Sequence, residues 1–307
     1  VRAIVQEAVG GAEALHLRDA AEPVPEDGQE LVIVRAAGIN FADTLIRRGL
    51  YPQPPALPWI PGHEVSGETE GGRRVLGLLP PTGGGYAERA PVDGQWLFDL
   101  PPAASFEEGA GFLTTFLTAW LPLTRQASVR RGTRVLVHAG AGGVGSAAVQ
   151  VAVALGAEVV ATAGSEAKLE LPLSLGASQA VTYDRLGELE PVDVVLDPVG
   201  GQLFADSLRL VLPLGVVVGI GFAGGTWPQV DPAHLVGRNI GVQGFYLGRL
   251  MQLRPELVRE AALDLLRLWT ARLVHPVVGA SFPLAEAGEA QQSVEERRST
   301  GKVVLVP

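Results

Sequence analysis

Residues 134–145 read Arg-Val-Leu-Val-His-Ala-Gly-Ala-Gly-Gly-Val-Gly, an apolar strand, a G-x-G-x-x-G turn and the start of a small-residue helix. This run constrains the chain more than any other. Gly140 is expected to make the tight turn, Gly142 to let the backbone approach a pyrophosphate, and Gly145 to let the helix pack closely on the sheet. The helix N-terminus would then turn free N–H groups and the positive end of its dipole toward phosphates. The competing reading is a glycine-rich strand-to-helix turn without a ligand.

The surrounding sequence supports a parallel sheet. Ser105-Phe106-Glu107-Glu108 has the S-x-x-E form of a capping box, and a helix should start there. Beyond it, strands are expected at 135–138, 158–163, 192–196, 216–220 and 240–246, with helices over 144–155 and 166–175. Pro172 should kink or shorten the second of these helices. Such alternation predicts a doubly wound α/β domain. An amphipathic helix is expected over 256–270, with Leu257, Ala261, Leu265 and Leu268 on its apolar face.

Residues 1–112 have a different texture. Short strand-like runs at 2–5, 31–36, 74–79 and 86–91 are divided by Gly and Pro, which suggests a small barrel. The proline cluster at 51–61 is incompatible with regular helix or central strand. Residues 284–298 read as a helix stopped by Gly301, and 302–306 as a strand that rejoins the barrel. The expected division is 1–112 with 271–307 for the barrel domain, and 113–270 for the nucleotide-binding domain.

Composition removes several function classes. The 307 residues contain no cysteine, which excludes disulfides, thiolate nucleophiles and any zinc site that needs sulfur. A net charge of −9 argues against a broad nucleic-acid-binding face. No apolar run approaches the roughly 18 residues of a membrane span. The N-terminus reads as a strand and not a signal peptide, so a cytoplasmic location is expected.

The second strand of the nucleotide domain indicates which dinucleotide. An NAD-type site carries Asp or Glu at the end of this strand to bind the ribose 2′-OH. Here the strand Glu158-Val-Val-Ala-Thr-Ala163 runs into Gly164-Ser165-Glu166-Ala167-Lys168. A carboxylate at the strand end would repel a 2′-phosphate, whereas Ser165 and Lys168 can bind one, so NADPH is expected. The plainer alternative makes Ser165 a helix cap and Lys168 a solvated side chain.

Several separated motifs, in order, resemble the zinc-independent quinone oxidoreductases of the medium-chain dehydrogenase/reductase superfamily, the zeta-crystallin-like group. They are Ala-Gly-Ile-Asn-Phe-Ala-Asp-Thr-Leu-Ile-Arg-Arg-Gly-Leu-Tyr at 37–51, Pro-Gly-His-Glu-Val-Ser-Gly at 61–67 and Leu-Thr-Thr-Phe-Leu-Thr-Ala-Trp at 113–120. The glycine turn, Asp-Pro-Val-Gly-Gly at 197–201, Gly-Phe-Tyr-Leu-Gly at 244–248 and Thr-Gly-Lys-Val-Val-Leu at 300–305 complete the set.

The resemblance implies a Rossmann domain, a discontinuous GroES-like β-barrel domain and NADPH held in a cleft between them. It implies that Asn40 and Tyr51 lie beside the nicotinamide, with Thr118 also contributing, and that Ala141, Gly142, Gly143 and Val144 cradle the pyrophosphate. Gly164, Ser165, Lys168, Tyr183 and Arg297 would surround the adenosine end, with Arg298 an open alternative to Arg297. Gly219, Ile220, Gly221, Phe222, Phe245, Tyr246 and Leu247 would line the nicotinamide side. Asp43 would orient a neighbouring group or cap a helix.

Two departures stand out. Leu45 occupies a position where some relatives carry tyrosine. His63-Glu64 matches a segment that supplies a zinc ligand in zinc alcohol dehydrogenases, but the cysteines those enzymes need are missing. His63 is therefore read as a vestigial or hydrogen-bonded residue. The implied activity is metal-free transfer of hydride from NADPH to a quinone, for which Asn40, Asp43 and Tyr51 are the catalytic candidates. The alternatives are reduction of an alkenal or enone double bond, and a non-catalytic NADPH-binding protein associated with nucleic acid. A homodimer is implied, and the strand near 240–245 could supply its sheet edge.

Overall fold

The computed structural model describes residues 1–51, 54–227 and 229–307. It divides into two compact units. Unit 1 comprises Val1–Thr114 and Pro276–Pro307, and unit 2 comprises Thr115–His275.

The strands, in chain order, are β1 (Arg2–Gln6), β2 (Leu15–Asp19), β3 (Gln29–Ile39), β4 (Glu64–Thr69), β5 (Arg74–Leu78), β6 (Arg89–Asp93) and β7 (Leu97–Asp99). They continue with β8 (Arg134–Val137), β9 (Glu158–Ala163), β10 (Gln179–Thr182), β11 (Val192–Asp197), β12 (Val211–Gly219), β13 (Gly241–Gly244), β14 (Val278–Pro283) and β15 (Lys302–Val306).

Unit 1 holds the hairpin β1–β2 and a seven-stranded sheet in the order β14-β15-β3-β4-β5-β7, with β6 added on β3. β3 organises it. Val32–Ala37 pair with β4 along one edge. On the other edge the first residues of β3 pair with β6 and its last residues with β15. The last strand of the chain thus lies against a strand that begins at Gln29. The core of this unit includes Ile4, Val32, Val34, Ile39, Val65, Tyr86, Val92 and Leu305, all nearly solvent-free. Burying each large apolar side chain contributes about 1.5–3 kcal/mol before entropy is counted.

Unit 2 is a six-stranded sheet in the order β10-β9-β8-β11-β12-β13, parallel throughout. Numbered within the unit, the order is 3-2-1-4-5-6, that of a Rossmann domain, and the order reverses between β8 and β11. β8, buried on both faces, needs the continuous Val-Leu-Val run it has.

Several local expectations are corrected. The helix expected over 166–175 is a 3-10 turn, Glu166–Lys168, and a short helix, Glu170–Ser174. Pro172 falls in the first turn of that helix, where its missing N–H removes no helical bond. The strand expected at 86–91 is β6, two to three residues later, because Tyr86 N–H bonds Pro61 and Ala87 makes only an isolated bridge to Ala3. The helix over 284–298 is the 3-10 turn Leu284–Glu286 followed by Ala287–Glu295. Arg297, at φ 58°, takes the left-handed position after that helix, not Gly301. The helix Pro255–Thr270 buries Val258, Ala261, Ala262, Leu265 and Trp269, so its apolar face is rotated away from Leu257 and Leu268. Pro52 and Gln53, within the proline cluster, lie outside the described residues.

Candidate functional site

In unit 2 the candidate residues gather at the C-terminal ends of the parallel strands. The turn after β8 is built from close approaches. Gly140 N–H bonds Thr162 carbonyl at 2.8 Å and Gly142 N–H bonds Ala139 carbonyl at 2.8 Å. A Cβ on Gly145 would stand 2.0 Å from the Ala139 carbonyl oxygen, and one on Gly140 would stand 2.8 Å from Ala161 Cβ. The left-handed residue of the turn is Ala139, at φ 51°, and Gly140 is required by proximity to β9 and not by its own φ.

Gly142 differs from both. A Cβ there would meet nothing in the protein closer than 3.3 Å, and what it would fill is the space ahead of the helix Gly143–Ala154. Gly142 is the N-cap of that helix and supplies no side-chain cap. The leading N–H groups of a 12-residue helix therefore face that space uncapped. These features fit a dinucleotide pyrophosphate.

His138, the residue before the turn, is fully buried. Its ring nitrogens lie 2.7 Å from Thr162 Oγ1 and 2.7 Å from Ser207 Oγ. Burial pushes its pKa down to about 3, so the ring is neutral. It links β8 to β9 and to the helix Gly201–Leu210, and so braces the turn. At the end of β11, Asp197 accepts N–H bonds from Val199 at 2.6 Å and Gly200 at 3.0 Å, while burial raises its carboxyl above the usual range.

After β9, no carboxylate precedes Glu166. Ser165 is extended and leads into the turn carrying Lys168, whose ammonium is made less basic by partial burial. An added Cβ on Gly164 would lie 3.7 Å from the Tyr183 ring, so these two candidates are neighbours. Gly219 ends β12 and Ile220, Gly221 and Phe222 follow it, and Phe222 packs against Trp227 with ring centroids 4.5 Å apart and planes tilted by 37°. Phe245 N–H bonds the Gly219 carbonyl at 3.0 Å, which brings the two expected nicotinamide-side segments together. Tyr246 is half exposed and Leu247 starts a short helix. Thr118 is half-buried on the helix Leu113–Leu121.

In unit 1 the structure shows a polar cluster that sequence reasoning found only in part. Asn40 precedes the helix Phe41–Arg47, and Asp43 Oδ2 accepts its backbone N–H at 2.8 Å, closing the first turn. The same carboxylate, 1% exposed, takes Tyr86 O–H at 2.8 Å on Oδ2 and His63 Nδ1 at 2.8 Å on Oδ1. Asp43 thus caps the helix and orients neighbours at once. His63 is hydrogen-bonded. Burial opposes its charge, but the Asp43 hydrogen bond and carboxylate outweigh burial and hold its pKa above the usual value. Burial, then the Asp43 charge, push the Tyr86 phenol well up, so it is a neutral donor.

Beside this lies a second group. Lys302 Nζ donates to Asn40 Oδ1 at 2.6 Å and to Glu64 Oε1 at 2.5 Å. Asn40 Nδ2 donates to Glu64 Oε1 at 3.0 Å, and Thr114 N–H donates to Glu64 Oε2 at 3.1 Å. Glu64 and Lys302 are 1% and 3% exposed. The sequence alone places Glu64 and Lys302 within the motifs at 61–67 and 300–305 and gives neither a role in the site. The available signal was a lysine inside a run of buried positions in a chain with two lysines.

Tyr51 is half-buried at the head of the proline cluster, and Leu45 is buried on the helix Phe41–Arg47. Arg297 is exposed, and Arg298 Nε bonds Glu296 at 2.7 Å. Among the described residues no group of three or more His, Cys, Asp or Glu side chains is arranged to hold a metal ion. Likewise, no helix is long and apolar enough to cross a membrane.

Comparison with known proteins agrees with this geometry. Residues 143–266 match the family described as zinc-binding dehydrogenase, and residues 26–77 match the alcohol dehydrogenase GroES-like domain. The quinone oxidoreductase of Thermus thermophilus, whose structure is also known in complex with NADPH, is 43% identical with a TM-score of 0.92, and each chain is covered completely. The Escherichia coli quinone oxidoreductase complexed with NADPH is 30% identical with a TM-score of 0.92, again with complete coverage of both chains. The Bos taurus quinone oxidoreductase-like protein 2 is 36% identical over 304 residues, covering 92% of this chain and 86% of its relative. The chain belongs to the quinone oxidoreductase family of medium-chain dehydrogenases/reductases.

Proposed function

We propose that this protein is an NADPH-dependent quinone oxidoreductase. The observation that carries the reading is the uncapped helix N-terminus behind Gly142, combined with a β9 end that has Ser165 and Lys168 in place of a carboxylate. Two similar structures are described as complexes with NADPH, which supports the choice of coenzyme.

In this reading Ala141, Gly142, Gly143 and Val144 hold the pyrophosphate by backbone N–H groups. Gly164, Ser165, Lys168 and Tyr183 serve the adenosine end, where Lys168 adds a positive charge for the 2′-phosphate. Gly219, Ile220, Gly221, Phe222, Phe245, Tyr246, Leu247 and Thr118 line the nicotinamide side and exclude water. In unit 1, Asn40 and Tyr51 serve the reacting end, Asp43 fixes the backbone of Asn40, and Arg297 serves phosphate. When bound, NADPH supplies a hydride. The protein's part is orientation and a hydrogen bond to developing charge, since a quinone spreads added electrons over its own ring.

We assign its work to the cytoplasm. We further assign a homodimer to this chain, with β13 of one copy beside β13 of the other. β13 is an edge of the sheet, and an edge strand offers unpaired backbone groups.

The test is a steady-state assay with NADPH and NADH against 1,2-quinones, 1,4-quinones and a conjugated enone. Quinone-dependent oxidation of NADPH in preference to NADH is expected. Turnover with the enone alone would move the substrate to carbon–carbon double bonds, and no turnover with any acceptor would remove the enzymatic reading.

A further inference from the structure

The chain takes arginine for nearly all its cations, with two lysines among 24 cationic side chains. Lys168 is already assigned to the coenzyme phosphate. Lys302 is buried in unit 1, where its compact ammonium reaches Asn40 Oδ1 and Glu64 Oε1 together. The ammonium is a compact point charge whose three donors leave one nitrogen, whereas a guanidinium presents a wider planar fork.

This contact decides how Asn40 presents itself. A side-chain amide has two orientations related by a flip, one offering N–H and the other C=O at a given position. An ammonium only donates and a carboxylate only accepts. The flipped amide would set Nδ2 against Lys302 and Oδ1 against Glu64, so only one orientation survives. The second Glu64 oxygen is held by Thr114 N–H, and the Asn40 backbone is held by Asp43. One Nδ2 proton goes to Glu64. The other remains for a ligand.

We propose that Lys302 and Glu64 are positioning residues that lock the Asn40 amide, so that the group it presents is an N–H donor for an acceptor oxygen gaining negative charge. The inference rests on the assignment of Asn40 to the reacting end. It narrows the acceptor to a molecule with a carbonyl-type oxygen, a quinone or a conjugated ketone. A donor fixed before the acceptor arrives needs no reorganisation as charge develops.

The double variant Lys302→Met/Glu64→Gln removes one cation and one anion together, so neither charge is left buried alone. The chain contains two asparagines, Asn40 and Asn239, so [15N]asparagine-labelled protein without coenzyme shows two side-chain amides, assigned through Asn40→Ala. The double variant should exchange the Asn40 amide protons with water about tenfold faster than the parent, and should lower kcat for a 1,4-quinone about tenfold. Adding Asn40→Ala to it should then lower kcat little further, because all three residues act through one group.

Unchanged amide exchange, or fully additive losses in kcat, would overturn the inference alone. Indifference of turnover to Asn40→Ala would remove the role of Asn40 at the reacting end, and the inference with it. If the double variant fails to fold, the unmodified protein decides: the Asn40 amide proton held by Glu64 should exchange with water about tenfold more slowly than those of the exposed Asn239 amide, and equal exchange at the two amides overturns the proposal.

Discussion

His63 Nδ1 lies 2.8 Å from Asp43 Oδ1, and Asp43 is closed to solvent. Where a zinc alcohol dehydrogenase would use a histidine of this segment as a metal ligand, this chain uses His63 as a hydrogen-bond partner for a buried carboxylate. Because Asp43 holds the imidazolium, the folded-state pKa of His63 is raised above its unfolded value. A raised histidine pKa contributes stability that is fully present below the unfolded pKa near 6.5 and fades as pH rises through the folded pKa. His63→Gln should therefore lose more stability at pH 5.5 than at pH 8.5, by about 1–2 kcal/mol. Denaturant titrations of both proteins across that range check it, and a pH-independent difference would speak against the pair.

Tyr86→Phe isolates the other side of Asp43. The phenol is buried and donates to Asp43 Oδ2 at 2.8 Å, so its removal deprives a buried carboxylate of a donor while leaving the packing intact. A loss of about 1–3 kcal/mol is expected by urea denaturation. Coenzyme affinity of the folded variant should be unchanged, since the residue lies outside the proposed nucleotide contacts.

The glycine turn offers a sharper contrast. Gly145→Ala would drive Cβ to 2.0 Å from a backbone oxygen and should destabilise the fold. Gly142→Ala meets nothing closer than 3.3 Å and should leave Tm nearly intact, yet weaken NADPH binding about tenfold or more, because its methyl enters the space assigned to the pyrophosphate. Thermal melts and fluorescence titration with NADPH separate the two effects. Unimpaired binding by Gly142→Ala would remove the pyrophosphate from this turn.

Lys168→Ala should lower the preference for NADPH over NADH, by about tenfold in kcat/KM, through loss of one charge from the 2′-phosphate site. The effect should shrink at high salt. An equal loss for both coenzymes would assign Lys168 to general packing.

The proposed dimer predicts that Val242→Pro, which removes a donor from the edge strand β13, shifts the protein toward monomer in light scattering. The parent should run as a dimer. A monomeric parent would remove the assembly reading.

The sequence made unit 2 legible because its elements repeat a local grammar. β8, β9 and β11 are mostly apolar runs, and the turn after β8 states its ligand class in six residues, whereas β10, Gln-Ala-Val-Thr, is too short and polar to be expected and is added by the structure. Helix ends were less legible. Pro172 sits harmlessly in the first turn of Glu170–Ser174, and Arg297, at φ 58°, follows the helix Ala287–Glu295, two details that propensity does not resolve. The helix Pro255–Thr270 buries the expected Ala261 and Leu265, but its stripe is completed by Val258, Ala262 and Trp269 in place of Leu257 and Leu268. The polar cluster of unit 1 was half legible. Asn40, Asp43 and His63 stand in recognisable motifs, but the Lys302–Glu64 pair joins positions 238 residues apart, and no local pattern announces such a contact.

The central claim is that unit 2 selects a phosphorylated pyridine nucleotide, and titration calorimetry of the unmodified protein with NADPH and NADH tests it most directly. The account predicts one site per chain, with NADPH held at least about tenfold more tightly than NADH. Equal affinity for both, or no measurable binding of NADPH, would contradict it.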